Sequence, residues 1–103
     1  MRILRQGDVL LVQVESMPAV KTEKPEQGDI ILAHGEATGH AHRIASPAEK
    51  ARLWDSGAER FLQVMKTVAL THEEHDSVAL VPGMYRVVIQ SEYLPAALRR
   101  VSD

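Results

Sequence analysis

The sequence predicts a mainly β protein, a small single-domain β barrel or sandwich with at most one short helix. Short runs of β-branched and aliphatic residues recur between turn-forming residues at intervals of about eight to twelve positions, as in small barrels and sandwiches. No segment carries the long helical period that would favour packed helices instead. The runs amount to roughly six or seven short strands.

The first half of the chain contains two of the predicted strands. Residues 9–14 are almost wholly aliphatic and follow Gln-Gly-Asp at residues 6–8, a sequence typical of a turn. Residues 30–33 follow a second Gly-Asp in the same way. The stretch between them, residues 15–27, is polar and contains two prolines, so we expect a mobile loop there.

The third region, which begins at residue 46, is predicted to start with one helical turn and to continue as a hairpin. Ser-Pro-Ala-Glu at residues 46–49 has the form of a capping box with proline at the first helical position. A helix from Pro47 to about Trp54 and a hairpin around a glycine turn at residues 56–58 are both compatible with the sequence of this region. We favour the single helical turn followed by the hairpin.

The last predicted strands lie on either side of a Pro-Gly pair. Residues 78–81 and 84–90 are aliphatic runs, and Pro-Gly between them suits a type II turn. Residues 94–103 have little to pack and are expected to fray. The sequence therefore predicts a single β domain over residues 1–93, followed by a C-terminal tail.

Composition is that of an ordinary globular protein and excludes several kinds of chemistry. The chain has 103 residues, of which 45% are hydrophobic and 25% are charged, so it can form one core without disulfides. It contains no cysteine, which excludes disulfide frameworks, thiolate nucleophiles and zinc–thiolate sites. The net charge of -2 gives no overall attraction to nucleic acid or to anionic membranes.

Neither a signal peptide nor a membrane span is expected from the sequence. The N-terminal residues lack the long apolar stretch and the small-residue cleavage site of a secretory signal. The uninterrupted apolar runs are only a few residues long, which is too short to cross a bilayer. We therefore expect a cytoplasmic protein.

Four of the five histidines fall into two short-spaced pairs, His40 with His42 and His72 with His75. On a strand, residues two apart point to the same face, about 6.5–7 Å from each other. Residues three apart share one side of a turn, and Thr-His-Glu-Glu-His-Asp at residues 71–76 is polar enough to be one. If the pairs meet, they offer a nitrogen-rich site for Zn²⁺, Fe²⁺, Mn²⁺, Ni²⁺ or Cu²⁺. Glu74 or Glu73 is the next candidate ligand.

Other uses of these histidines stay open at this point. They also suit a pocket for a small anion or polar ligand, and rim histidines often have only solvated or structural roles. Arg43 and Arg86 are candidates for holding a carboxylate or phosphate group, and Glu73 for acting as a general base. No separate acid, base or nucleophile is identifiable, so whether the protein is an enzyme stays open.

A glycine followed by His-x-His, formed here by Gly35, His40 and His42, resembles the first metal motif of the cupin barrels. That resemblance implies a metal ion held inside a β barrel. A cupin continues with a glutamate a few residues later, whereas Glu49 lies further along this chain. The string His-Glu-Glu-His also differs from the metalloprotease pattern His-Glu-x-x-His, because its second histidine comes one residue early.

Two further resemblances cover other parts of the chain. Residues 5–12 and 26–35 are similar to the opening of the co-chaperonin-10 barrel, which implies a barrel with a charged mobile loop between two strands. Residues 15–27 lack the hydrophobic tripeptide that this family inserts into its partner ring. Residues 71–75 and 80–87 are similar to small bacterial proteins of unassigned function, which implies a bacterial origin.

These observations support two hypotheses of different classes. The first is a protein that binds a divalent transition metal through the two histidine pairs, with open coordination positions for water or a small substrate if it is an enzyme. The alternative is a non-catalytic binding or adaptor module that recognises a protein partner through residues 15–27 and its strand edges. Exposed strand edges also allow a homo-oligomer.

Overall fold

The computed structural model describes residues 2–24, 28–35 and 38–90, and this part of the chain is mainly β, as predicted. It contains ten short strands rather than six or seven, and the described residues include no helix. The strands are β1 (Ile3–Gln6), β2 (Val9–Val14), β3 (Thr22–Glu23), β4 (Ile30–His34), β5 (Ala41–Ile44), β6 (Ala51–Ser56), β7 (Glu59–Val64), β8 (Val68–Leu70), β9 (Val78–Leu80) and β10 (Gly83–Ile89).

The strands form one large sheet and two small ribbons. The large sheet has six strands in the order β1-β2-β10-β7-β6-β3, and all of its neighbouring pairs are antiparallel. The ribbons are the antiparallel pairs β4-β5 and β8-β9. Arg43 on β5 forms an isolated antiparallel bridge with Thr71, directly after β8, which joins the two ribbons. The sheets are not closed into a ring by the pairing of the described strands.

One cluster of buried side chains connects the large sheet with both ribbons. It contains residues from every strand except the edge strands β1 and β3. Tyr85 is its largest fully buried side chain, and the Tyr85 hydroxyl satisfies its hydrogen-bonding need by donating to the Val81 carbonyl at 2.7 Å. On β6 the alternation typical of a strand is plain, since Ala51 and Leu53 are buried while Arg52 between them is exposed.

The predicted hairpin in the third region is confirmed, and a turn precedes it, but this turn is not helical as predicted, because Glu49 within it has a φ of 65°. The backbone N–H groups of Lys50 and Ala51 donate to the Pro47 carbonyl, which makes a single turn. The chain then enters β6, so no helix extends to Trp54. Strands β6 and β7 pair as far as Ser56 and Glu59, with the glycine turn between them.

The described part of the predicted loop at residues 15–27 is attached to the sheet more firmly than its composition indicates, and residues 25–27 lie outside the described residues. Strand β3 lies in the middle of this stretch and pairs with β6 at the edge of the large sheet. Lys21 lies over the Trp54 ring with its Nζ 5.2 Å from the ring centroid, and Lys24 pairs with Asp55 at 3.1 Å. The predicted mobile loop therefore includes a short strand. Strand propensity did not indicate it, because two residues are too few to show the alternation of apolar and polar positions that is typical of a strand.

Strands β9 and β10 flank Pro82 as predicted, but they belong to different sheets. Pro82 therefore connects a ribbon to the large sheet rather than closing a hairpin. The tail at residues 94–103 lies outside the described residues, as does the end of the predicted domain. Within the described ranges no helix has the length and hydropathy needed to cross a bilayer.

Candidate metal centre

The bridge between Arg43 and Thr71 aligns the two histidine pairs. Its two backbone hydrogen bonds measure 3.0 and 2.9 Å, and its register is antiparallel. In this antiparallel register, the residue before Arg43 lies opposite the residue after Thr71, so His42 lies opposite His72. Opposing residues beside a hydrogen-bonded pair have close side chains, and the centroids of these two rings are 4.4 Å apart.

All four paired histidines come together in one place, which we call the histidine cluster. Ring centroids are separated by 4.7 Å for His72 and His75, 5.8 Å for His42 and His75, and 5.9 Å for His40 and His72. Imidazoles on one tetrahedral ion have centroids roughly 5 Å apart, because each centroid lies roughly 3.2 Å from the ion. The spacing of the cluster is therefore that of rings able to share an ion.

His42 is the buried member of the cluster, with 2% of its surface exposed. Burial lowers its pKa below the ordinary value of 6.5, and the neighbouring His72 adds to this effect, while Asp8 opposes it. The imidazole is thus held in its neutral form, which is the form that binds metal ions.

Gln6 fixes which nitrogen of His42 carries the proton. The Gln6 side-chain amide donates to the carbonyls of Leu70 and Asp76, each at 2.9 Å, so its oxygen must be the atom that faces His42. That oxygen lies 2.9 Å from His42 Nδ1 and can only accept. Neutral His42 is therefore protonated on Nδ1, and its Nε2 presents a lone pair.

The turn between β1 and β2 borders the cluster. Asp8 Oδ1 lies 3.5 Å from His42 Nε2. Gly7 has a φ of 58°, and a Cβ on it would lie 2.7 Å from His75 Nε2. On the other side, a Cβ on Gly35 would lie 3.0 Å from His72 Nε2. Glycine at these two positions leaves the room that the rings occupy.

The two adjacent glutamates have different surroundings. Glu73 Oε1 accepts the backbone N–H of Ala41 at 2.9 Å, and Oε2 lies 3.5 Å from the Arg43 guanidinium. The bond from Ala41 is the main reason that the pKa of Glu73 is lowered. Glu73 thus braces β5 against the loop after β8. Glu74 Oε2 instead lies 3.7 Å from His40 Nδ1, a buried nitrogen without a hydrogen-bond partner among the described residues.

The donor atoms of the cluster do not yet surround one point. Within the described residues, no three His, Asp or Glu side chains are arranged so that they could hold an ion as they stand. One reason is visible at His72, whose Nδ1 accepts the backbone N–H of Glu74 at 3.0 Å. Neutral His72 therefore carries its proton on Nε2, and it must exchange tautomer or give up that bond to become a ligand.

The comparison with protein families matches residues 5–90 to the family described as a domain of unknown function, DUF8820. The match covers most of the chain, including every residue of the histidine cluster. The chain belongs to the DUF8820 family. Neither the curated proteins nor the solved structures give a match to this DUF8820 chain. These comparisons support neither the cupin resemblance nor the co-chaperonin-10 resemblance.

The predicted site residues of the DUF8820 chain do not all lie in the cluster. His40, His42, His72, His75 and Glu74 come together. Arg43 lies beside the cluster but is committed to Glu73, Asp29 and the Gly39 carbonyl. Arg86 is on β10 and pairs with Glu59 at 3.3 Å, and no bond or ring contact joins it to the cluster within the described residues.

Sequence reasoning missed Gln6 and Asp8, which border the same site of this DUF8820 domain. Both belong to the Gln-Gly-Asp that indicated a turn, and the turn was confirmed between β1 and β2. A glutamine is an unusual residue to be 97% buried, but burial is not visible in the sequence. The one feature of the sequence that could have drawn attention to Gln6 and Asp8 is that Gln-Gly-Asp occurs twice, at residues 6–8 and again at residues 27–29.

Proposed function

We propose that this DUF8820 domain binds one divalent transition metal ion at the histidine cluster. The observation that carries the proposal is the convergence of the two histidine pairs at centroid distances of 4.4 to 5.9 Å. Four imidazoles suit Zn²⁺, Fe²⁺, Mn²⁺, Ni²⁺ or Cu²⁺, and Glu74 offers a carboxylate at the rim.

The buried and exposed members of the cluster have different roles in this proposal. His42 is fixed, because Gln6 holds its ring and presents Nε2; second-layer bonds of this kind are usual for ligating histidines. His75 is exposed and His40 and His72 are partly exposed. These three rings turn toward the ion when it binds, and His72 exchanges its bond with the Glu74 N–H for a bond to the metal.

The proposal keeps the expectation of a cytoplasmic protein and leaves the reaction, if there is one, unassigned. A site with three or four histidine ligands and a free position would activate bound water or a small substrate. Asp8, Glu73 and Glu74 are carboxylates at or beside the cluster, and none of them by itself identifies a reaction.

Metal content is the direct test. Protein produced without a polyhistidine tag is dialysed against Zn²⁺, Fe²⁺, Mn²⁺, Ni²⁺ or Cu²⁺ in turn and analysed for bound metal. The wild type is expected to retain about one equivalent of at least one ion. The double variant His40→Ala/His75→Ala is expected to lose it, since both rings lie at the rim and can be removed without opening the core.

His34→Ala is the matched control, because His34 is an exposed histidine on β4 that makes no ring contact with the cluster in the described part of the chain. It should retain metal as the wild type does. A wild type that takes up none of the five ions would contradict the proposal. So would a double variant that retains the ion with unchanged affinity.

A protein-binding module is the second candidate, and one observation favours it. Val20 is 86% exposed, although its stretch of chain is attached to the sheet by β3 and by the Ser56 hydroxyl, which donates to the Val20 carbonyl. Strand β3 of the same stretch lies at an edge of the large sheet among the described strands, and an edge strand suits contact with a partner protein. A partner that binds wild type but not Val20→Ser, with Ile3→Ser as control, would support this function.

A further inference from the structure

The six-stranded sheet carries apolar side chains on both of its faces. On its four central strands, β2, β10, β7 and β6, alternate residues belong to the core cluster, so the residues between them point to the opposite side, which we call the outer face. An antiparallel sheet with one face in water normally has polar residues on that face. The outer face instead has apolar residues at most positions of these strands, namely Leu10, Val12, Val14, Trp54, Phe61, Met84 and Val88. This composition indicates that both faces are covered.

The two large apolar side chains that are exposed in the described part of the chain lie at opposite edges of this face. Ile3, which is 56% exposed, is paired with Val12 in the register of β1 and β2, so both point to the outer face. Val20, which is 86% exposed, precedes β3 at the other edge, and its carbonyl accepts a hydrogen bond from Ser56, the residue that alternates with Trp54 on β6. The apolar surface therefore extends across the whole width of the sheet.

Two adjacent charges of opposite sign lie in the middle of the outer face and make it complementary to a copy of itself. Arg86 on β10 and Glu59 on β7 are 3.3 Å apart, and their side chains are 44% and 53% exposed. Arg52 and Glu23 neutralise each other nearer the β3 edge, at 3.6 Å. The face thus has no central excess of one charge that would select a partner of the other sign. A two-fold axis between Arg86 and Glu59 would place Arg86 opposite the partner's Glu59, and Glu59 opposite the partner's Arg86.

The size and composition of the outer face also suit a dimer. Six strands about 4.8 Å apart span roughly 25–30 Å, and a strand of about six residues is about 20 Å long. Two such faces in contact bury roughly 1,000 Å² together, which is the lower limit expected of a specific interface. Aromatic residues, Met and Arg are enriched at interfaces, and this face carries all of these types. We therefore expect a dimer that dissociates on dilution.

We propose that two copies of this chain form a homodimer by packing their outer faces together about a two-fold axis beside Arg86 and Glu59. The apolar side chains form the buried part of the interface, and the two charged residues fix its register through reciprocal ion pairs. The histidine cluster is built from the ribbons and the turn between β1 and β2, on the core side of the sheet, so the dimer leaves it uncovered. The inference therefore does not depend on metal binding.

Charge reversal at the proposed axis tests the dimer. Sedimentation velocity of the full chain over a range of concentrations is expected to show a monomer–dimer equilibrium. Arg86→Glu and Glu59→Arg are each expected to weaken self-association by more than about tenfold, because like charges then face each other across the axis. An equimolar mixture of the two variants is expected to restore the dimer, since an acidic face then meets a basic one. Lys24→Glu, which reverses a charge outside this face, is the control and should dimerise as the wild type does.

Two further variants keep the test decisive if a single charge reversal prevents folding. The double variant Arg86→Glu/Glu59→Arg exchanges the two charges and should dimerise as the wild type does, whereas Val12→Lys places a charge in the apolar part of the face and should abolish the dimer. A wild type that stays monomeric up to about 1 mM would overturn the inference and would mean that something other than a second copy covers the face. A dimer that is unaffected by both charge reversals and by Val12→Lys would overturn it as well, because such a dimer forms through another surface.

Discussion

Arg43 and Thr71 form a single antiparallel bridge, and this pairing brings His42 opposite His72 although the bridged residues are 28 positions apart in sequence. The bridge lies outside the regular strand pairings, yet it joins the two ribbons directly beside the histidine cluster. The geometry of the candidate centre thus depends on one backbone contact and on the side chains that surround it. Substitutions of those surrounding residues have distinct expected effects.

Gly7→Ala is expected to reduce metal affinity by at least about tenfold, because its Cβ would displace the His75 ring. Gly57→Ala is a close control, since Gly57 has a φ of 61° against 58° for Gly7 but has no described atom within 4 Å of an added Cβ. Both variants should lose about 1–2 kcal/mol of stability, because alanine is strained in the left-handed backbone conformation of these two positions. Metal titration distinguishes them, and equal affinities in the two variants would show that His75 is not needed.

Gln6→Leu is expected to lower the free energy of unfolding by about 3 kcal/mol, because it leaves the buried Leu70 carbonyl, the partly buried Asp76 carbonyl and His42 Nδ1 without their partner. Gln90→Leu removes an exposed side-chain bond to Arg5 and should change stability by less than about 0.5 kcal/mol. Urea unfolding measures both variants.

The same glutamine has a second, spectroscopic consequence. Nitrogen NMR of the metal-free wild type is expected to show His42 protonated on Nδ1, and Gln6→Leu is expected to lose that single tautomer. A wild type protonated on Nε2 would contradict the positioning role of Gln6 and, with it, the lone pair that faces Asp8.

Stability of the metal-free protein is expected to decrease as the pH falls below about 6.5. The unfolded chain then binds a proton on His42 that the folded state does not bind, because burial lowers the folded-state pKa. The loss continues until the pH passes below that lowered pKa. A second decrease is expected below about 4.5, where the unfolded chain protonates Glu73 before the folded state does.

Urea unfolding from about pH 8 down to about pH 4, with a chelator present, measures this dependence. His42→Gln should flatten the decrease just below neutrality, and Glu73→Gln should flatten the decrease at the acid end. If His42→Gln has the same pH dependence as the wild type, another group is responsible.

Glu73→Gln and Glu74→Gln are expected to have opposite effects. Glu73→Gln loses the pairing with Arg43 and weakens the bond from Ala41, so it should lower the melting temperature and leave metal affinity unchanged. Glu74→Gln should leave the melting temperature unchanged and weaken metal binding by less than about tenfold, because the Glu74 carboxylate is 65% exposed. Calorimetric metal titration and thermal unfolding, both measured on the same preparation of each variant, distinguish the two residues. Their assigned roles would be exchanged if Glu73→Gln weakened metal binding and Glu74→Gln lowered the melting temperature.

The elements that depend on local sequence could be predicted. The class of fold and the hairpin of β6 and β7 follow from propensity and turn chemistry, which act over a few residues. Strand β3 could not, because two residues with no apolar pattern become a strand only by pairing with β6.

The sequence by itself determined which histidines are paired, although His40 precedes β5 rather than lying on the strand with His42. Tertiary structure alone decided that the second pair joins them, through the Arg43 and Thr71 bridge. It also brought Gln6 and Asp8 to His42, from 36 and 34 residues away in sequence. Contacts across such separations depend on how the ribbons pack against the large sheet, and no local propensity or spacing carries that information.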